Sequence, residues 1–145
     1  MNMKISEIES SDYDLIITEL NDWWGGRNMT DMLPRLFFNH FSPTSFAVKD
    51  QELILGFIVG FVSQKNPQLA YVHFIGVNPK VRNKKIGKKL YERFFEAVKK
   101  TGATAVECVT SIENKRSINF HKNLGFKIKN GNNEMNGISY FENYD

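Results

Sequence analysis

Val77-Asn78-Pro79-Lys80-Val81-Arg82-Asn83-Lys84-Lys85-Ile86-Gly87-Lys88-Lys89-Leu90 is the stretch on which the reading of the fold turns. Upstream, Leu69 to Val77 is composed like a strand. Downstream, Ile86, Leu90, Phe94 and Val98 recur every four residues, with Tyr91 and Phe95 beside them. The change of period marks a strand, a turn forced by Pro79, and an amphipathic helix that begins near Ile86. Such a helix start presents unpaired backbone N–H groups and the positive end of its dipole, which together favour an anion. Gly87 lets the backbone come close to that anion, while Arg82, Lys84, Lys85 and Lys88 add positive charge.

Working outward from this stretch, the preceding segments Ser45 to Val48, Leu53 to Val62 and Leu69 to Val77 read as strands. Asp50-Gln51 and Asn66-Pro67 are turn signals between them, so an antiparallel meander is expected. Before the meander come a short alternating strand, Met3 to Ile8, and a helix through Leu15, Ile16 and Leu20 with Ser10, Ser11 or Asp12 as its N-cap. Trp23-Trp24-Gly25-Gly26-Arg27 ends that helix, and a second one is predicted over Asp31 to Phe41, with Pro34 near its first turn. On the C-terminal side, Gly102 closes the long helix. Ala105 to Val109 then reads as a strand, Asn114 to Leu124 as a helix ended by Gly125, and Phe126 to Ile128 as a strand. After a Gly131-Asn132-Asn133 turn, only Ile138 to Tyr144 remains for a seventh strand, and the sequence leaves its pairing open. The order implies one α/β (α+β) domain over residues 1–145, a mixed sheet of six or seven strands covered by about four helices.

Composition narrows the class of function. A chain of 145 residues with 41 % hydrophobic and 13 % aromatic residues buries a core without metals or disulfides, and no metal site is expected. No apolar run approaches the roughly 18 residues of a membrane span, and the N-terminus lacks a signal-peptide core. The lone Cys108, read as a core strand residue, agrees with a reducing cytoplasm. Net charge is only +3, yet Lys80, Arg82, Lys84, Lys85, Lys88 and Lys89 fall within ten residues. Such a cluster suits a solvated face, a nucleic-acid patch or a polyphosphate socket.

Two motifs favour the socket. Arg82, Asn83, Lys84, Lys85, Ile86 and Gly87 resemble the pyrophosphate loop R/Q-x-x-G-x-G/A of the GNAT acetyltransferases, with Lys85 where the first Gly is expected. A Lys is acceptable there if its φ is negative and hard to accept if the position needs a positive φ. Downstream, Asn114-Lys115-Arg116-Ser117-Ile118-Asn119-Phe120-His121-Lys122-Asn123-Leu124-Gly125-Phe126 resembles the same family's N-x-x-A-I-x-x-Y-x-K-x-G-F helix. The likeness covers roughly Leu53 to Ile128; the first forty residues match in element order only.

The resemblance implies a GNAT-type, mostly antiparallel twisted sheet and transfer of an acetyl group from acetyl-CoA to a primary amine, by direct attack in a ternary complex. It places the cofactor arm along Ile75, Gly76 and Val77, with the backbone N–H of Val77 or a close neighbour on the thioester carbonyl, and the pyrophosphate on Arg82 to Lys88. Asn114 and Ser117 face the arm. His121 stands at the family's general-acid position. His73 is the candidate base, sharing a strand face with Tyr71, Ile75 and Val77; Glu107 is a weaker substitute. Trp23, Trp24 and Arg27 lie in a loop that often closes over the acceptor in this fold, the tryptophans suited to box a ligand and Arg27 to hold a carboxylate. Antibiotics, amino acids, polyamines and protein N-termini all remain open as acceptors. Neither nucleic acid nor membrane is expected as a partner, and a homodimer is left open. Other readings are a non-catalytic CoA-binding regulatory module and a small basic nucleic-acid binder.

Overall fold

The computed structural model describes residues 2–111, 114–135 and 138–144, with side chains in these ranges except those of 83, 111, 129–135 and 138–144. The chain runs β1 (Lys4–Glu7), α1 (Ser10–Trp23), a 3-10 turn Thr30–Met32, α2 (Leu36–His40), a 3-10 turn Ser42–Thr44, β2 (Phe46–Asp50), β3 (Leu53–Val62) and β4 (Leu69–Val77). A 3-10 segment Pro79–Lys84 then leads into α3 (Ile86–Lys99), β5 (Ala105–Ser111), α4 (Lys115–Leu124), β6 (Lys127–Met135) and β7 (Ile138–Tyr144). The strands form one sheet in the order β1-β2-β3-β4-β5-β7-β6, and only β4 and β5, joined through α3, are parallel.

Each face of the sheet has its own core. On one, Phe46, Val48, Leu55 and Ile58 meet Ile86, Leu90, Tyr91, Phe94 and Val98 of α3. The four-residue recurrence in the sequence is therefore the buried stripe of that helix. Each large apolar side chain so buried contributes about 1.5–3 kcal/mol, which is what holds α3 against the strands. On the other face, Ile16, Leu20 and Trp23 of α1 and Phe37 and Phe38 of α2 pack on Ala47, Phe57, Val59 and Phe74.

Several expectations are corrected by local physics. The helix predicted over Asp31 to Phe41 splits at Leu33 (φ −123°, ψ 85°), because the residue before Pro34 is pushed out of the helical region. The N-cap of α1 is Glu9, whose N–H donates to the Asp12 carboxylate (2.9 Å); the buried Asp12 also takes Lys49 Nζ at 2.7 Å. Gly131-Asn132-Asn133, read as a turn, lies within β6 at a shift of register against β7. Ile138 to Tyr144 does form a seventh strand, inserted between β5 and β6.

A bulge decides which way the side chains of β4 face. Val59 pairs with Phe74 and Gly60 with Val72, so His73 is the extra residue. The insertion reverses the alternation of faces beyond it. Ala70 and Val72 face α3, Phe74 faces α1, and Ile75 and Val77 face α3 again. His73 therefore shares a face with Tyr71, as expected, but not with Ile75 and Val77. The β4–β5 ladder stops at the same place, with Val72 opposite Cys108, so the two strands separate beyond it.

Candidate active site

Two cavities open where β4 and β5 part. The first, of about 460 Å³, lies between the last residues of β4, the start of α3 and the face of α4. Arg82, Lys85, Lys88 and Arg116 line it together with Gly87, and among the described residues no acid does. Burial, and secondarily the charge of Arg116, pushes the Arg82 guanidinium below its usual value. Two arginines on one cavity each raise the positive potential felt by the other. Arg82 Nη2 donates 3.0 Å to the Trp23 carbonyl at the C-terminal end of α1.

No side chain caps the N-terminus of α3. Its first regular bond is Lys89 N–H to the Lys85 carbonyl (3.1 Å), so the amides of Ile86, Gly87 and Lys88 are the donors left without helical partners. By contrast α4 is capped by Asn114, whose Oδ1 accepts the Ser117 N–H (3.2 Å). Lys85 takes φ +57°, ψ 32°, the left-handed region, which is the case in which a lysine is hard to accept at this position. A side chain there costs roughly 1–2 kcal/mol.

Two of the glycines make room for packing. A Cβ on Gly87 would stand 2.9 Å from the Phe120 ring, so its absence lets α3 and α4 touch. A Cβ on Gly76 would meet Phe57 at 2.7 Å and Trp24 at 3.1 Å, so this glycine makes room for the two rings. Ile75, Val77, Asn114, Ser117 and His121 line the basic cavity. Lys84 is exposed, Ile86 points into the core and offers only its backbone, and the side chain of Asn83 lies outside the described residues.

The second cavity, of about 260 Å³, is bounded by the loop after α1, the bulge of β4 and the end of β5. Its walls are mainly apolar: Trp24, Met29, Met32, Phe74 and Ile75. Arg27 and His73 line it, whereas Trp23 is buried against Phe57 in the core and lines neither cavity. Trp23 and Trp24 thus have separate roles, because successive residues at a helix end point in different directions. His73 stacks on Phe37 with ring centroids 4.6 Å apart, and its Nε2 lies 2.6 Å from the Met32 carbonyl. A carbonyl only accepts, so Nε2 carries the proton and Nδ1 the lone pair. Glu107 lines neither cavity.

Trp24, Ile75, Asn114, Ser117 and His121 line both cavities, which therefore meet at one junction. His121 is only 3 % exposed there. Its Nδ1 donates to the Ser117 carbonyl at 2.7 Å, and its Nε2 lies 2.6 Å from the Tyr91 hydroxyl. Burial lowers the imidazole pKa from its usual value, against a smaller opposing effect of the Ser117 bond. Cys108 Sγ sits 3.8 Å from the same hydroxyl, as a buried strand residue.

Sequence reasoning passed over Tyr91, Arg116 and Phe120 as site residues. Tyr91 was legible only as part of the α3 stripe, while Arg116 and Phe120 stood inside the second motif without a role. Among the described residues there is no group of three or more His, Cys, Asp or Glu placed to hold a metal, and no helix long and apolar enough to cross a membrane.

A basic cavity that joins an apolar one at the split of a mixed sheet is the layout of a two-substrate group transferase. The Acetyltransferase (GNAT) family profile matches residues 9–126, and the chain belongs to that family, whose enzymes use acetyl-CoA as co-substrate. An uncharacterised N-acetyltransferase of Methanocaldococcus jannaschii is 40 % identical over 62 residues, a match spanning 43 % of this chain and 27 % of that protein. The chain thus aligns with about a quarter of that relative's length. Among solved structures, an N-acetyltransferase from Staphylococcus aureus superposes with TM-score 0.75 at 16 % identity, covering 100 % of this chain and 98 % of its own. Diaminobutyrate acetyltransferase from Paenibacillus lautus, in complex with L-2,4-diaminobutyric acid and coenzyme A, gives TM-score 0.74 at 16 % identity, covering 99 % and 94 %. At these identities the structural likeness speaks for the fold.

Proposed function

We propose that this protein is an N-acetyltransferase that moves the acetyl group of acetyl-CoA to a primary amine by direct attack, with both substrates bound. The observation that carries this reading is the junction: a basic cavity and an apolar one share Trp24, Ile75, Asn114, Ser117 and His121. A phosphate-bearing donor and an amine held in the two cavities meet there, which removes the entropic cost of their encounter.

Arg82, Lys85, Lys88 and Arg116, with the open amides of α3, hold the diphosphate. Beyond His73 the edge of β4 no longer pairs with β5, and its backbone receives the pantetheine arm as an added strand. When bound, acetyl-CoA supplies an activated thioester. A backbone N–H near Val77 polarises its carbonyl. His73 Nδ1 takes a proton from the incoming ammonium, directly or through water, while the Met32 carbonyl and the Phe37 ring fix its tautomer and tilt. Formation of the C–N bond is followed by cleavage of C–S, and the thiolate requires a proton.

His121 is the source of that proton, and its route passes through Tyr91. Because Nδ1–H is committed to the Ser117 carbonyl, the titrating atom is Nε2, and Nε2 faces the Tyr91 oxygen. Nε2–H passes a proton to the hydroxyl as the hydroxyl gives its own to sulfur. A lowered pKa makes the imidazolium a stronger acid while reducing its population at neutral pH.

Isothermal titration with acetyl-CoA, repeated on Gly87→Glu, tests the reading. The substitution drives a side chain into Phe120 and a negative charge into the basic cavity. Micromolar binding by the parent, weakened at least about 100-fold in the variant, is expected. A folded parent that does not bind acetyl-CoA refutes it.

A further inference from the structure

We infer that the amine acceptor is a small molecule of amino-acid type, a primary amine on an apolar framework with a carboxylate at its far end, and not a polyamine or other polycation. This rests on the transferase reading above and narrows it. The second cavity carries it by its charge and by the way one residue is held in place.

Asp and Glu account for 16 residues of the chain, yet none of those described lines the acceptor cavity. A polycation that delivers one amine to the junction brings a further ammonium against Trp24, Met29, Met32 and Phe74, with no carboxylate among the described residues to receive it. Taking that charge out of water without a counter-charge is costly. The cation that is present, Arg27, would repel it. Arg27 makes no side-chain hydrogen bond or ion pair among the described residues, so its guanidinium has donors to spend on a ligand.

Its position is built rather than incidental. Gly25 and Gly26 take φ +66° and +87°, a reversal that glycine alone makes without strain, and it returns the chain toward the cavity after Trp24. Asn21, in the last turn of α1, then clasps both sides of Arg27. Its carbonyl accepts the Gly26 N–H at 2.8 Å, and its side-chain oxygen accepts the Met29 N–H at 2.8 Å. Arg27 is thereby tied to the helix that ends at Trp23, and the same loop supplies Trp24 to the junction. An acceptor with its carboxylate on Arg27 has its apolar body between Trp24 and the methionines, and its amine toward His73.

The test is release of CoA thiol at saturating acetyl-CoA. The amines are β-alanine, γ-aminobutyrate and ε-aminocaproate, the carboxamide of each, and putrescine and spermidine. At least one free amino acid is expected to exceed its own carboxamide in kcat/KM by about tenfold or more, and both polyamines by more. Arg27→Gln should reduce that preference to within about twofold, and Arg27→Glu should reverse it, with acetyl-CoA affinity unchanged by titration. Asn21→Ala should raise the amino-acid KM while leaving that affinity alone. Carboxamides or polyamines used as well as the acids, or a preference untouched by Arg27→Gln, overturns the inference. So does a protein that binds acetyl-CoA but acetylates none of the acids. Failure to bind acetyl-CoA at all overturns the transferase reading beneath it instead.

Discussion

The basic cavity and the apolar cavity of this protein are built in opposite ways. Two continuous runs supply most of the first: Arg82, Lys85, Gly87 and Lys88 around the start of α3, and Asn114, Arg116, Ser117, Phe120 and His121 along α4. The second gathers Trp24 and Arg27 from one loop, Met32 from a 3-10 turn, His73 and Phe74 from a bulge, and Thr110 from β5. A site that binds through helix amides and neighbouring charges is local in the chain, and so has a motif. A site made of side chains from separate elements exists only once those elements have packed, and has none. The difference teaches that the donor of a group transferase is readable long before its acceptor.

The comparison can be broken most severely at the junction. Tyr91→Phe removes the hydroxyl on which His121 Nε2 depends, and kcat should fall roughly 10²-fold with the KM values of both substrates little changed. An unchanged kcat would mean that water, not Tyr91, supplies the thiolate proton. A milder change separates the cavities. Arg116→Ala touches only the basic one, so acetyl-CoA should bind about tenfold more weakly while the amine KM holds. Equal effects on both substrates would show that the cavities do not act as separate sites. Smallest in effect is Lys85→Gly. Relief of the left-handed lysine should stabilise the fold by about 1 kcal/mol, seen as a melting temperature higher by a few degrees. The lost charge should weaken acetyl-CoA only a few-fold. A melting temperature that falls would mean that the Lys85 side chain contributes more packing than its strained backbone costs.

These expectations follow how much could be read in advance. The bounds of β3, β4 and α3 emerge directly from residue pattern, because strong amphipathic periods and sharp turn signals leave little choice there. The split of the second helix was readable in principle, since Pro34 restricts Leu33. The role of Gly76 was not. A glycine in a strand signals that something comes close, and only the packed structure shows that Trp24 and Phe57 do.

By itself the sequence determined the order of elements, the basic start of α3 and the helix carrying Asn114, Ser117 and His121, all of which depend on neighbours within a few residues. Tertiary structure alone decided the rest. The bulge at His73 reverses the faces of β4, an effect set by register against β3 that no pattern within β4 reveals. Packing between the layers buries Trp23 while Trp24 reaches the junction, and it brings Tyr91 under His121. Those outcomes depend on contacts between residues far apart in the chain, and such contacts exist only when the sheet and its two helical layers have closed around them.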